Sequence, residues 1–148
     1  MEQKKDLYPS SFNPLILKST RPLPKEIAVI GAGTIGPDIG YYLKSAMSGI
    51  KLYLVDVVEE PLKNAEKRIS GYVKKAVDKR KMREDKAGAV LNNINYTMDY
   101  NQIKDCDLVI EAATESISLK QKIFEGVEKI VSQDAIITSN TSSIPADR

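Results

Sequence analysis

The sequence contains no histidine, only one cysteine and no long apolar run. Without histidine the chain lacks the commonest general base, the commonest metal ligand and every Ser-His or Cys-His nucleophile pair. No metal site is expected, and whatever chemistry the chain joins, it supplies no imidazole. The lone Cys106 excludes an internal disulfide and fits a reducing, cytoplasmic setting. It lies between Asp105 and Asp107, an acidic setting that disfavours a thiolate, so it reads as a loop or strand-edge residue. No apolar stretch is long enough to span a membrane, and the charged first residues lack the apolar centre of a secretory signal. No membrane contact is therefore expected. A net charge of +2 over 148 residues is too small to argue for nucleic acid. With 42% hydrophobic and 28% charged residues, the composition is that of an ordinary globular domain with a sizeable core.

The chain is organised around Ile27-Ala-Val-Ile-Gly31-Ala-Gly33-Thr-Ile-Gly36. Ile27 to Ile30 is short, apolar and partly β-branched, which fits a buried parallel strand. The glycines then follow at G-x-G-x-x-G spacing. Gly31 allows a sharp turn, Gly33 leaves no Cβ against a bound pyrophosphate, and Gly36 lets the next helix pack closely. A helix starting near Thr34 aims its free N–H groups at phosphate. A second strand-like run, Ile50 to Asp56, ends in an acid twenty residues after Gly36. Alone, Asp56 fits a plain strand-end or helix-capping aspartate. At the end of a strand–glycine–helix–strand unit it fits an acceptor for adenosine ribose hydroxyls. Its carboxylate repels a 2′-phosphate, and Val57 and Val58 offer no arginine, so NAD is favoured over NADP.

Residues 1–24 carry four of the seven prolines and read as an extended arm, with Phe12 and Leu15-Ile-Leu17 apolar enough to lie on a surface. The domain is expected over 25–148. The first helix should run from about Thr34 to Met47, burying Ile35, Ile39, Tyr42, Leu43 and Ala46. Pro37 is tolerated in its first turn. Asp38 suits the helix dipole but places negative charge near the proposed pyrophosphate. A long helix should start at Glu59-Glu-Pro61 and reach about Lys81, with Leu62, Ala65, Ile69, Tyr72, Val73 and Ala76 as its apolar face. From Lys63 to Arg83 it carries nine Lys or Arg against Glu66 and Asp78, read as a solvated face or as an anion patch for a phosphorylated substrate. Then follow a short helix at Lys86 to Leu91, a strand at Ile94 to Thr97, a turn or helix at Tyr100 to Lys104 and a strand at Asp107 to Glu111. Ser118-Leu-Lys-Gln121 resembles a capping box ahead of a helix burying Ile123, Phe124, Val127, Ile130 and Val131. Ala135 to Ser139 is the last strand. The alternation predicts an α/β doubly wound sheet of five strands.

Four pieces together resemble the NAD-binding domain of the 3-hydroxyacyl-CoA dehydrogenases. They are Ile30-Gly-Ala-Gly-Thr-Ile-Gly36; Leu54-Val-Asp56; Asp107-Leu-Val-Ile-Glu-Ala112 with Glu115 and Lys120-Gln-Lys-Ile-Phe124; and Ser139-Asn-Thr-Ser-Ser143. The resemblance covers about residues 25–148. It implies a Rossmann-type, mostly parallel sheet with a helical insertion after the second strand. It implies NAD as cofactor, held by Gly31, Ala32, Gly33, Thr34, Ile35, Gly36 and Asp56, with Glu115, Lys120 and Asn140 near the nicotinamide half. It also implies that Asn140 lies near the substrate, that Ser142 hydrogen-bonds the reacting 3-oxygen of an acyl-CoA substrate, and that Lys79 contacts coenzyme A. Without the resemblance, Ser142 reads as a cap on whatever follows the strand. Pro37 and Asp38 stand where the family has small residues. The family's catalytic histidine, on a later strand, and its dimerising helical domain have no counterpart here. The expectation is a domain inactive by itself, completed by a C-terminal domain or a second chain, with a homodimer implied. A non-catalytic dinucleotide-sensing or interaction module, or another NAD-dependent hydroxyacid dehydrogenase, are the alternatives.

Overall fold

The computed structural model describes residues 21–145. Most of the expected arm over 1–24, including Phe12 and Leu15 to Leu17, lies outside the described residues. Strand β1 (Glu26–Ile30) opens the fold and is followed by α1 (Gly36–Ala46), β2 (Lys51–Val55), α2 (Glu59–Asp78) and α3 (Glu84–Leu91). Then come β3 (Ile94–Thr97), a 3-10 turn (Tyr100–Ile103), β4 (Leu108–Glu111), α4 (Ile117–Glu128) and β5 (Ile136–Ser139). The strands lie in the order β3-β2-β1-β4-β5, and every pairing is parallel.

Strand alternation divides the core into two layers. Ile27, Val29, Leu52 and Leu54 face α1 and α2, packing against Ile39, Leu43, Leu62 and Ala65. Ala28, Ile30, Tyr53, Val55 and Val109 face the other way, onto Ile103, Cys106, Ile123, Val127 and Val131. Both faces of the sheet are therefore covered, and the strands read as continuous apolar runs. The strand order reverses at β1, so the carboxyl ends of β1, β2 and β4 open a crevice where the chain switches sides.

Five expectations need correction. Helix α1 starts at Gly36, two residues later than Thr34, with Pro37 in its first turn. Its inward face is not Ile35, Tyr42 and Ala46, which are exposed, Tyr42 by 71%. Gly36, Pro37, Gly40 and Lys44 are buried instead, flanked by the half-buried Ile39 and Leu43. Small residues win that face because the helix lies so close to the sheet that a Cβ on Gly40 would sit 3.1 Å from Leu52 Cδ2. Lys44 is fully buried, and its Nζ donates to the carbonyls of Ser48 (2.7 Å) and Ile50 (2.8 Å). Those contacts tie down the turn after the helix, and burial lowers the amine's pKa.

Helix α2 ends at Asp78, not Lys81. Arg80 takes a left-handed φ of +55°, and the N–H groups of Lys81 and Met82 donate back to the Ala76 carbonyl. Helix α3 starts at Glu84, two residues ahead of Lys86. The cap of α4 is Ser116, whose hydroxyl accepts the Leu119 N–H, while Ser118 lies inside the helix. The apolar face of α2 is as expected: Leu62, Ala65, Ile69 and Val73 are buried. Its large side chains each contribute about 1.5–3 kcal/mol by leaving water. Cys106 is buried, and desolvation, with Glu26 and Asp107 adding, pushes its thiol up to about 12.

Candidate functional site

A cleft of about 860 Å³ crosses the carboxyl ends of the strands. Its walls include Gly31, Gly33, Thr34 and Ile35 from the glycine turn, Asp56 after β2, Ala112 to Glu115 after β4, Lys120 on α4 and Asn140 after β5. Eight residues named from the sequence therefore meet in one cleft: Gly31, Gly33, Thr34, Ile35, Asp56, Glu115, Lys120 and Asn140.

The glycine turn is built by close approach. Gly31 has φ +105°, and its N–H donates to the Val55 carbonyl at 2.7 Å. A Cβ on Gly36 would lie 1.7 Å from the Gly31 carbonyl oxygen, so no larger residue fits there without moving the turn. Gly33 faces open space, with nothing within 4 Å of a Cβ position. Among the described residues no acceptor engages the N–H groups of Gly33, Thr34 or Ile35. Free donors ahead of an eleven-residue helix form an anion site.

Asp56 Oδ2 accepts the Ala32 N–H at 2.8 Å, and Oδ1 accepts the Val58 N–H at 3.1 Å. The carboxylate is thus aimed by the turn it serves, and each oxygen keeps a lone pair for a ribose hydroxyl. Ala32 itself is buried, and Gly36 packs under the turn; neither lines the cleft. Their part is to shape the turn.

The other end of the cleft is held by a buried charge cluster. Glu111 is fully buried at the end of β4, and Lys120 is 4% exposed. Lys120 Nζ lies 2.8 and 2.9 Å from the two Glu111 oxygens, 3.3 Å from the Ala113 carbonyl and 3.5 Å from Glu115 Oε1. The Ala113 N–H (2.6 Å) and the Ser139 hydroxyl also donate to Glu111. Glu115 accepts from Thr141 Oγ1 at 2.8 Å and Ser143 Oγ at 3.0 Å. These bonds, the Thr141 one first, hold its carboxyl below the usual carboxylate value. The two glutamates thus hold alternate hydroxyls of Ser139-Asn-Thr-Ser-Ser143. The Asn140 N–H donates to the Glu111 carbonyl at 2.8 Å, and Asn140 lines the cleft.

Two named residues stand apart. Ser142 is exposed and does not line the cleft. Lys79 is exposed at the carboxyl end of α2, also outside it. The basic face of α2 is divided. Lys63 pairs with Glu59, Lys74 with Asp78 and Arg68 with Asp38, and beyond the helix Arg83 pairs with Asp85.

Sequence reasoning missed Tyr100, Val57, Ile123 and Gly126, which also line the cleft. Tyr100 is half-buried in a short turn with no periodicity to betray it, and burial raises its hydroxyl's pKa. Lys120 lines the cleft, with its donors engaged by Glu111 and Ala113. Among the described residues, no helix is long and apolar enough to cross a membrane.

Residues 26–148 match the family of the 3-hydroxyacyl-CoA dehydrogenase, NAD binding domain. The chain is 39% identical over 127 residues to the peroxisomal fatty acid beta-oxidation multifunctional protein AIM1 of Arabidopsis thaliana, covering 86% of this chain and 17% of that protein. It is 37% identical over 120 residues to the fatty acid oxidation complex subunit alpha of Colwellia psychrerythraea, covering 81% and 16%. The structure of (S)-3-hydroxybutyryl-CoA dehydrogenase PaaH1 from Ralstonia eutropha superposes with a TM-score of 0.76 at 31% identity, over 82% of this chain and 42% of that one. The 3-hydroxybutyryl-CoA dehydrogenase of Escherichia coli gives 0.78 at 30% identity, over 82% and 25%. The chain thus spans about a sixth of the length of these curated relatives. It belongs to the NAD-binding domain family of the 3-hydroxyacyl-CoA dehydrogenases, and its cofactor is NAD.

Proposed function

From that membership we propose that the chain positions NAD for reversible hydride transfer at C3 of a 3-hydroxyacyl-CoA in fatty acid oxidation. The observation that carries the reading is the single cleft joining Asp56, the donor-rich glycine turn and Asn140. NAD, when bound, supplies the hydride acceptor. Asp56 holds the adenosine ribose, and the N–H groups of Gly33 to Ile35 hold the pyrophosphate. Glu115, Lys120 and Asn140 frame the nicotinamide end. Ser142, exposed beside the cleft, would donate to the 3-oxygen of a substrate bound across its mouth and stabilise negative charge there. Lys79, exposed at the end of α2 outside the cleft, would meet the coenzyme A portion with its positive charge. The role is to orient two reactants. The chain has no histidine, so an imidazole base for the 3-hydroxyl proton would come from other polypeptide, a further domain or a second chain.

The same reading includes a cytoplasmic location and a larger assembly, a homodimer. Ile136, 41% exposed on β5 at the sheet edge, supports a docking surface there. Sedimentation of the purified chain tests it; a clean monomer at all concentrations removes the homodimer from the reading.

The experiment for the function is a fluorescence titration with NADH, followed by acetoacetyl-CoA in the same cuvette. Binding without NADH oxidation is expected. Steady oxidation would mean that this chain supplies its own base. Absence of binding would refute the cofactor reading and leave the interaction-module alternative.

A further inference from the structure

Arg68 does not join the solvated face of α2. Its Nη2 lies 2.7 Å from Asp38 Oδ2 across a thirty-residue gap in sequence. Its Nη1 donates to the Thr34 carbonyl at 2.9 Å, and its Nε donates to the Tyr72 hydroxyl at 2.7 Å. Tyr72 in turn donates to Asp38 Oδ1 at 2.9 Å, and its ring stacks obliquely on Tyr41 at 5.2 Å. One planar guanidinium therefore ties α2 to the glycine turn and to the first turn of α1.

Two consequences follow from the geometry. In a trans peptide the C=O and the next N–H point in opposite directions. Holding the Thr34 carbonyl towards α2 therefore turns the Ile35 N–H away from α2, and Ile35 lines the cleft with no acceptor among the described residues. Asp38 is the acidic residue in the first turn of α1, where its charge opposes a bound phosphate. Arg68 neutralises it.

We propose that Arg68 is a positioning residue for the cofactor pyrophosphate: it orients the Thr34–Ile35 peptide so that its N–H serves the anion, and it masks Asp38. The proposal rests on the reading of the cleft as an NAD site. It also explains how a Pro-Asp pair is tolerated directly after the third glycine.

The test uses the full chain, with NADH affinity by fluorescence, adenosine as a phosphate-free competitor, and thermal melting as the check on folding. Arg68→Ala should weaken NADH binding by about tenfold, through a lost charge-assisted hydrogen bond and an unmasked carboxylate. Adenosine affinity should not change. Asp38→Asn should move NADH affinity the other way, up by about two- to fivefold, because Arg68 keeps the Thr34 carbonyl and its charge is no longer cancelled. An ion pair that merely joined two helices would make both variants weaker. Arg68→Lys keeps the charge but not the fork and should fall between wild type and alanine; with Asp38→Asn it carries the test if Arg68→Ala fails to fold. Equal NADH affinity in a folded Arg68→Ala, or losses of the same sign in both partners, would overturn the assignment. A wild-type chain that binds no NADH would overturn the cofactor reading beneath it, a separate and recognisable result.

Discussion

Replacing Lys120 with methionine should cost the fold about 3–5 kcal/mol, because it strands a buried carboxylate. Glu111 is fully buried and receives donors from Lys120, Ala113 and Ser139. Methionine keeps the length and apolar stem of the side chain but removes the only cation paired with Glu111 among the described residues. The Ala113 N–H and the Ser139 hydroxyl remain, two neutral donors for a full charge. A domain of this kind has roughly 5–15 kcal/mol in total, so the loss is a large fraction and should lower Tm by roughly 10 °C. The double variant Glu111→Gln with Lys120→Met should regain much of the loss at neutral pH, because no charge is left to strand. Urea unfolding of wild type, both single variants and the double variant gives the coupling energy directly. A loss below about 1 kcal/mol would refute the view that this pair holds the end of β4 to α4.

Other perturbations test the rest of the cleft. Gly36→Ala places a methyl 1.7 Å from the Gly31 carbonyl oxygen, so the turn must shift; thermal melting should show a loss of about 1–3 kcal/mol together with loss of NADH binding. Unaltered NADH affinity would mean that the turn does not hold the cofactor. Asp56→Ser should erase most of the preference for NADH over NADPH, a change of about tenfold or more in the ratio of the two dissociation constants. An unchanged ratio would place discrimination elsewhere. Asp107 accepts the N–H groups of Lys25 (2.7 Å) and Glu26 (3.1 Å), which hold its carboxyl below its ordinary 3.8. A folded value below the unfolded one stabilises above 3.8 and is lost as pH falls through the lowered value. Asp107→Ala should therefore unfold at lower urea than wild type at pH 7, and the two midpoints should converge under strong acid. A gap that widens with acid would reverse the assignment.

Much of this protein follows from local sequence. The run Ile27 to Ile30, the glycines at 31, 33 and 36 and Asp56 define a strand, turn, helix and second strand with few competing solutions, because each glycine meets a steric need within a few residues of itself. The alternation of short apolar runs with 3.6-period segments likewise dictates a doubly wound parallel sheet, since strands buried on both faces have no alternative covering. The inward face of α1 was not legible. Periodicity reports which residues are apolar, whereas Gly36, Gly40 and Lys44 are buried because of how near the helix lies to the sheet. Charge counting left α2 as a solvated face or an anion patch and left its partners open. Whether Arg68 meets water or Asp38, and whether Lys120 meets the cofactor or Glu111, depends on which elements the topology brings together. Local chain chemistry decided where the dinucleotide turn lies; the tertiary structure alone decided which charges hold it open, because an ion pair needs two groups at contact distance, and residues far apart in sequence reach that distance only through the fold.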